Sequence, residues 1–345
     1  MFSLSGCFNR LIKLSLINSC FSENSETSFA PYCLELLMYQ TFVEANKVQT
    51  KILTYGRRIQ DSHHKSNEII VVLLGIPGSV GFYEAFAKAL FDKSGIPVWC
   101  IGHAGHNFPP KNSKIQFPPF EDHLDLYSLK GQIEHKIDFF RKYVPAGAKV
   151  HLVGHSVGAY IALEILDHPE VKNKVDDLYL LFPTIEGMAS TRNGKHLNNF
   201  VRPLQSVLGF LIWIYVMLPN FLATILVYVY MLIMNIPIKL HAENIKEFLK
   251  PGTTKRALFM AFQKLDYMKE RNSEVIKRNV KKIKFLYSKF DQWTEPNCWI
   301  KLKEDIPEVD VEVTCIDHTF VFYNNDDVAE KVIGWIKLRN KQTIN

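Results

Sequence analysis

The 345-residue chain is short of several things that would assign it to a class at once. Six cysteines do not make a disulfide scaffold; Cys7, Cys20 and Cys33 crowd one end, and Cys100, Cys298 and Cys315 are scattered. No Asn-x-Ser/Thr acceptor occurs. Both absences favour a reducing, cytosol-facing compartment. An excess of one charge is also missing. With 41 basic and 35 acidic side chains the formal charge is +6, too little to imply nucleic acid. A secretory signal needs an apolar core of about 7–15 residues, and Leu14-Ser15-Leu16-Ile17 is too short. Met1–Ser22 contains no acid, several serines, and only Arg10 and Lys13 as charges. Three readings fit: a mitochondrial transit peptide, a disordered tail, or a gene-model extension before a natural start at Met38. Residues 1–42 are taken as an N-terminal tail and 43–345 as one domain. Hydrophobic residues at 47% and charged residues at 22% exclude wholesale disorder and fibrous repeats.

What is there is an alternation of two periods. Val48–Tyr55, Glu68–Leu74, Pro97–Ile101, Lys149–Val153, Leu178–Phe182, Ile283–Tyr287 and Val309–Ile316 read as strands. The unbroken run Ile69–Leu74 is what a strand covered on both faces requires. Phe82–Lys93, Leu129–Tyr143, Ala159–Leu166 and Val328–Leu338 carry apolar residues at helical spacing. Strands alternating with helices predict a mostly parallel central sheet flanked by helices, an α/β class.

An insertion over 190–275 breaks this pattern. From Pro203 to Ile238 no residue is charged. A spanning helix needs about 20 apolar residues, but Pro219-Asn220 divides the run into Val207–Leu218 and Phe221–Met234, each shorter than one span. The geometry suggests a hairpin over 203–238 that docks in a membrane surface; a buried helical cap and a single kinked span are the alternatives. Two ends of one sheet on opposite sides of a bilayer disfavour the span. Trp213, Tyr215, Tyr228 and Tyr230 suit an interface, and Lys239, Lys246 and Lys250 could meet anionic head groups. Val207, Trp213, Pro219, Phe221 and Tyr228 are taken as membrane-docking residues.

Gly154-His155-Ser156-Val157-Gly158 carries the chemistry. The G-x-S-x-G string is weak alone. Here an apolar strand leads in and a helix leads out, the context of a nucleophile elbow. Ser156 then needs a base, and the base an orienting acid, in the chain order Ser, Asp or Glu, His. Of the later histidines His168, His196, His241 and His318, only His318 follows a strand and precedes the closing helix. Asp291, after the strand ending at Tyr287, is the acid; Asp266 and Asp317 compete less well. The oxyanion donors are expected at the Val157 amide and at Gly78 or Ser79 in the loop 75–81. That loop lacks the dinucleotide fingerprint. His103-Ala104-Gly105-His106 has no carboxylate or cysteine set at metal spacing. No cofactor and no metal are expected. The basic run Lys277–Lys284 reads as a solvated surface rather than a nucleic-acid site.

With these residues in place the chain resembles the α/β-hydrolase superfamily, and more closely the lipid droplet-associated hydrolase family, from about Val43 to Leu338. The strings that carry the resemblance are Ile76-Pro77-Gly78, Phe86-Ala87-Lys88-Ala89-Leu90, Pro97-Val98-Trp99, His103-Ala104-Gly105-His106, Gly131–Lys136, Gly154-His155-Ser156, Leu181–Glu186, and Asp291 with Trp293 and Pro296. The resemblance implies a serine hydrolase with a lipid ester substrate, sterol esters being proposed and activity weak. It implies a place on the cytosolic face of lipid droplets and endoplasmic reticulum, and a role in lipid storage. The 203–238 insertion matches the family's proposed droplet-binding segment in position. Ser79 and Val80 stand where the family usually has Asn and Pro, Thr319 follows the histidine in place of Ala, and the first 37 residues have no counterpart. The expected partners are a lipid ester and a lipid-droplet or reticulum surface, with no nucleic acid. A droplet-bound regulatory protein with vestigial chemistry and an acyl-thioesterase are the alternatives; aspartate-nucleophile chemistry is disfavoured by Ser156.

Overall fold

A computed structural model describes residues 38–61, 67–109, 114 and 116–344 of the chain. The strands are β1 (Met38–Ala45), β2 (Val48–Tyr55), β3 (Glu68–Leu73), β4 (Val98–Ile101), β5 (Lys149–His155), β6 (Val175–Leu181), β7 (Ile283–Ser288) and β8 (Asp310–Thr314). They form one sheet in the order β1-β2-β4-β3-β5-β6-β7-β8. From β4 to β8 every neighbouring pair is parallel, and β1 and β2 add an antiparallel edge.

The apolar runs follow from a sheet covered on both faces. Ile69, Val71 and Leu73 enter one core, with residues of α2 (Leu129–Tyr143) and α3 (Val157–Leu166). Ile70, Val72 and Leu74 enter the other, with α1 (Glu84–Ser94) and the closing α8 (Asn325–Ile344). Consecutive side chains point to opposite faces, so a strand buried on both must be apolar at every position.

The expected tail over 1–42 ends too late. Met38–Phe42 belong to β1, which pairs with β2 through the two-residue turn Asn46-Lys47. Both turn residues have positive φ (44° and 64°), as a type I′ hairpin demands. Asn-Gly would have announced such a turn; Asn-Lys does not. The Asn46 amide donates to Asp138 Oδ2 at 2.7 Å and anchors the hairpin to α2. The expectations for residues 1–37 lie outside the described residues.

Between β6 and β7 the chain makes a long helical excursion. It includes α4 (Gln205–Met217), α5 (Asn220–Ile233), α6 (Ile238–Phe248) and α7 (Pro251–Tyr267). The Pro219 break is where the sequence puts it, with Leu218 ending α4 and Pro219 capping α5. No residue of α4 is buried, and only Val227 and Met231 of α5 are. Val207, Trp213, Pro219, Phe221 and Tyr228 all lie exposed. Among the described residues no single helix is long and apolar enough to cross a membrane; Arg192–Val201 with Gln205–Met217 passes by length and composition but is bent by 77°.

Candidate active site

The strand β5 delivers the chain to Ser156, and α3 begins on the next residue. Ser156 sits at φ 53°, ψ −121°, a conformation that costs a non-glycine residue energy and is held only by its surroundings. Its amide donates to Leu181 O at 3.0 Å, and its carbonyl accepts from the amides of Ala159 and Thr184. The flanking glycines are required by close approach. A Cβ on Gly158 would stand 2.2 Å from Leu73 O, and one on Gly154 2.7 Å from Ala159 Cα. Phe182, also at positive φ (46°), packs on the His318 ring from the end of β6.

Three residues from distant parts of the chain form one hydrogen-bonded relay. Ser156 Oγ lies 3.0 Å from His318 Nε2, and His318 Nδ1–H donates to Asp291 Oδ2 at 2.6 Å. Asp291 also accepts from the amides of Trp293 (2.7 Å) and Thr294 (3.2 Å) and from Thr294 Oγ1 (2.6 Å). Burial pushes its carboxyl upward, but the neighbouring His318 and these hydrogen bonds overcome that and hold it at about 2. The competing acids are engaged elsewhere. Asp266 accepts from Arg202 at 2.5 Å, and Asp317 accepts from the Thr319 amide and hydroxyl in the turn beside His318. Of the other histidines, His168 caps a short helix and His241 packs between Phe82 and Phe322.

A second, smaller chain of hydrogen bonds supports the first. Tyr83 Oη accepts from the Gly75 amide at 2.7 Å and donates to His155 Nδ1 at 2.5 Å. His155 Nε2–H in turn donates to the backbone carbonyl of His318 at 3.1 Å. These partners fix a neutral His155, and burial agrees by holding its pKa well below the ordinary histidine value. The loop after β3, the elbow and the backbone of His318 are thus tied together by two buried side chains. Sequence reasoning missed both, because nothing in the spacing of Tyr83 signals a link to residue 155.

The loop after β3 meets the elbow at its first residues. Ile76 and Pro77 line the cavity over Ser156, and a Cβ on Gly75 would stand 3.1 Å from Ser156 Cβ. Gly78 turns instead into the buried pair His103 and His106, with its carbonyl accepting from the His103 amide at 3.0 Å. Ser79 Oγ donates to Asn107 Oδ1 at 3.2 Å. His106 Nδ1–H donates to Pro77 O at 2.5 Å. Gly78 and Ser79 are buried and do not line that cavity, to which this loop contributes Ile76 and Pro77. Leu73 pairs with Gly154, so the first residues after β3 come level with the elbow.

The cavity over Ser156 has a volume of about 270 Å³, and α7 contributes Ala257, Leu258, Ala261 and Lys264 to its walls. Most of the lining is apolar. Lys264 adds an amine to the wall and is buried, with its ammonium 3.8 Å from the Trp293 ring centre. Burial pushes it down to about 8, against the upward pull of Asp291. Lys264 is 108 positions from Ser156 in the chain, and no motif could have pointed to it.

A strained serine on a strand-turn-helix corner, with a histidine and a carboxylate arriving from later strands, is the geometry of a nucleophile elbow. The profile of the lipid-droplet associated hydrolase family matches residues 66–321. The lipid droplet-associated hydrolase of Drosophila melanogaster is 35% identical over 296 residues, covering 85% of this chain and 96% of the relative. That of Homo sapiens is 31% identical over 322 residues, covering 88% and 96%. This chain belongs to that family. Its fold is that of the α/β-hydrolases. A serine hydrolase involved in carbazole degradation superposes with a TM-score of 0.57 at 18% identity, covering 87% of this chain and 99% of the other. An esterase from Exiguobacterium antarcticum gives 0.55 at 15%, covering 87% and 100%.

Proposed function

We propose that this protein is a serine hydrolase of lipid carboxylic esters, sterol ester-like substrates among them, that works at the surface of lipid droplets and the endoplasmic reticulum and serves lipid storage. The observation that carries the reading is the Ser156–His318–Asp291 relay at the floor of a mostly apolar cavity. His318 Nε2 takes the Ser156 proton as Oγ attacks the ester carbonyl. The charge that develops on the carbonyl oxygen is met by two backbone amides. One is Val157, the first residue of α3, whose N–H has no partner within its helix. The other is Ile76, since the Gly75 amide is already given to Tyr83. The imidazolium returns its proton to the leaving alcohol, and water, activated by the same His318, releases the acid. Asp291, ionised down to about pH 2, holds the histidine tautomer and stabilises its charged form throughout.

The exposed apolar surface of α4 and α5 supports the place of action. A soluble protein rarely leaves so many large apolar side chains in water on adjoining helices. Phe210, Trp213, Met217 and Phe221 are each more than half exposed. A lipid surface would cover them and bring the cavity to its substrate. The hairpin also favours a second reading, a droplet anchor whose chemistry is vestigial.

Labelling with a fluorophosphonate discriminates the two. The parent protein is expected to label at Ser156 and to release fatty acid from lipid esters; Ser156→Ala should lose both by about a thousandfold or more. A parent that does not label, in detergent or on artificial droplets, would leave only the anchor.

A further inference from the structure

Beside the cavity over Ser156 lies a second, larger chamber of about 550 Å³. The two share Ile76, Pro77, Phe82, Phe248, Thr319 and Phe322 as walls, so they adjoin. The far walls come from the apolar excursion: Leu226, Val227 and Tyr230 of α5, Met234 after it, and Ile245 of α6. No charged side chain lines it, and its only polar side chains are those of three tyrosines and Thr319, so a charged head group has no ionic partner there. Leu226, Tyr230 and Met234 are half exposed and form the rim. The chamber therefore lies between the cavity over Ser156 and the same helix surface that the lipid phase would cover.

We infer that this chamber binds a long aliphatic chain of the scissile ester, admitted from the apolar face of α5, and that Val227 and Ile245 set how much chain is held. The inference rests on the serine-hydrolase reading and names the part of the substrate it recognises. Val227 and Ile245 are buried, line this chamber and do not line the cavity over Ser156. A bulkier side chain at either would shorten the chamber without touching the relay. The hairpin then has two duties: its outer face meets lipid, and its inner face holds the chain of the molecule being cut.

The test compares labelling of Ser156 by an ethyl and a dodecyl fluorophosphonate in the same detergent. Each buried methylene favours binding by a factor of about four, so the parent should label with the dodecyl probe about tenfold faster or more. Val227→Trp should bring the ratio of the two rates toward one. Should that variant fold poorly, Leu226→Trp, at the half-exposed rim, reads the same chamber. Equal rates in the parent, or a ratio unmoved by both variants, overturn the inference while leaving the serine reading intact. Labelling by neither probe overturns both. Butyl dodecanoate and dodecyl butanoate, isomers with the long chain on opposite sides of the ester, then name its source. A variant that selectively slows one isomer supports the chamber and assigns its chain to the acyl or the alcohol side. Slowing neither, or both alike, contradicts it.

Discussion

The helices α3 and α4 are near equals in composition and opposites in surroundings. Val157–Leu166 contains one acidic residue, Glu164, and buries eight of its ten residues; Gln205–Met217 contains no charge and buries none of its thirteen. A helix that is apolar all round must be covered by something. The helix α3 bridges two adjacent parallel strands, β5 and β6, and the sheet covers it. The helix α4 sits in the excursion between β6 and β7, and nothing among the described residues buries any of it. Apolarity alone thus does not separate a buried helix from an exposed one, and the connection between strands does.

Matched polar substitutions give the largest way to break this comparison. Ile161→Ser in α3 should destabilise the protein by about 4 kcal/mol, from lost burial and a hydroxyl without a partner. Phe210→Ser in α4, at 58% exposure, should change stability by about 0.5 kcal/mol or less. Urea midpoints in detergent-free solution measure both. Similar losses for the two would mean that α4 is packed in solution after all.

A smaller effect sharpens the comparison at the site itself. Lys264 is a buried amine in a mostly apolar wall. Its pKa falls from the free value of 10.5 to about 8 on burial. The unfolded chain therefore binds more protons than the folded one between those values, and stability rises with pH across that window. Replacing it by methionine should stabilise the protein by about 2 kcal/mol at pH 7, the ion–ring contact with Trp293 offsetting part of the burial cost. The gain should shrink as pH rises above about 8 and vanish near 10.5. Thermal unfolding of both forms across that range measures it; a gain that grows with pH would contradict the assignment.

Much of this was legible in the sequence because it is local. The strand, elbow and helix around Ser156 lie within eighteen consecutive residues, and the break at Pro219 is written in two. His318 and Asp291 were reachable because chain order and the strands before them constrain the choice. What remained hidden depends on contacts between segments far apart in the chain. The packing of Gly78 and Ser79 against the buried His103, His106 and Asn107 joins segments that nothing in the spacing connects. Tyr83, His155 and Lys264 take their roles from packing between elements. The strand β1 was lost to a hairpin turn whose second residue is a lysine at positive φ.

The central claim is that the relay and the hairpin work on one substrate at one surface. It is tested most directly by fatty-acid release from a long-chain ester, presented once as droplets and once dispersed in detergent. The rate on droplets divided by the rate in dispersion should be high for the parent. The double variant Trp213→Ser, Phe221→Ser should lower that ratio about tenfold or more, because each loses apolar area from the lipid contact. Ser156→Ala should release nothing in either form. A ratio that ignores the hairpin, or release that survives Ser156→Ala, would contradict the account.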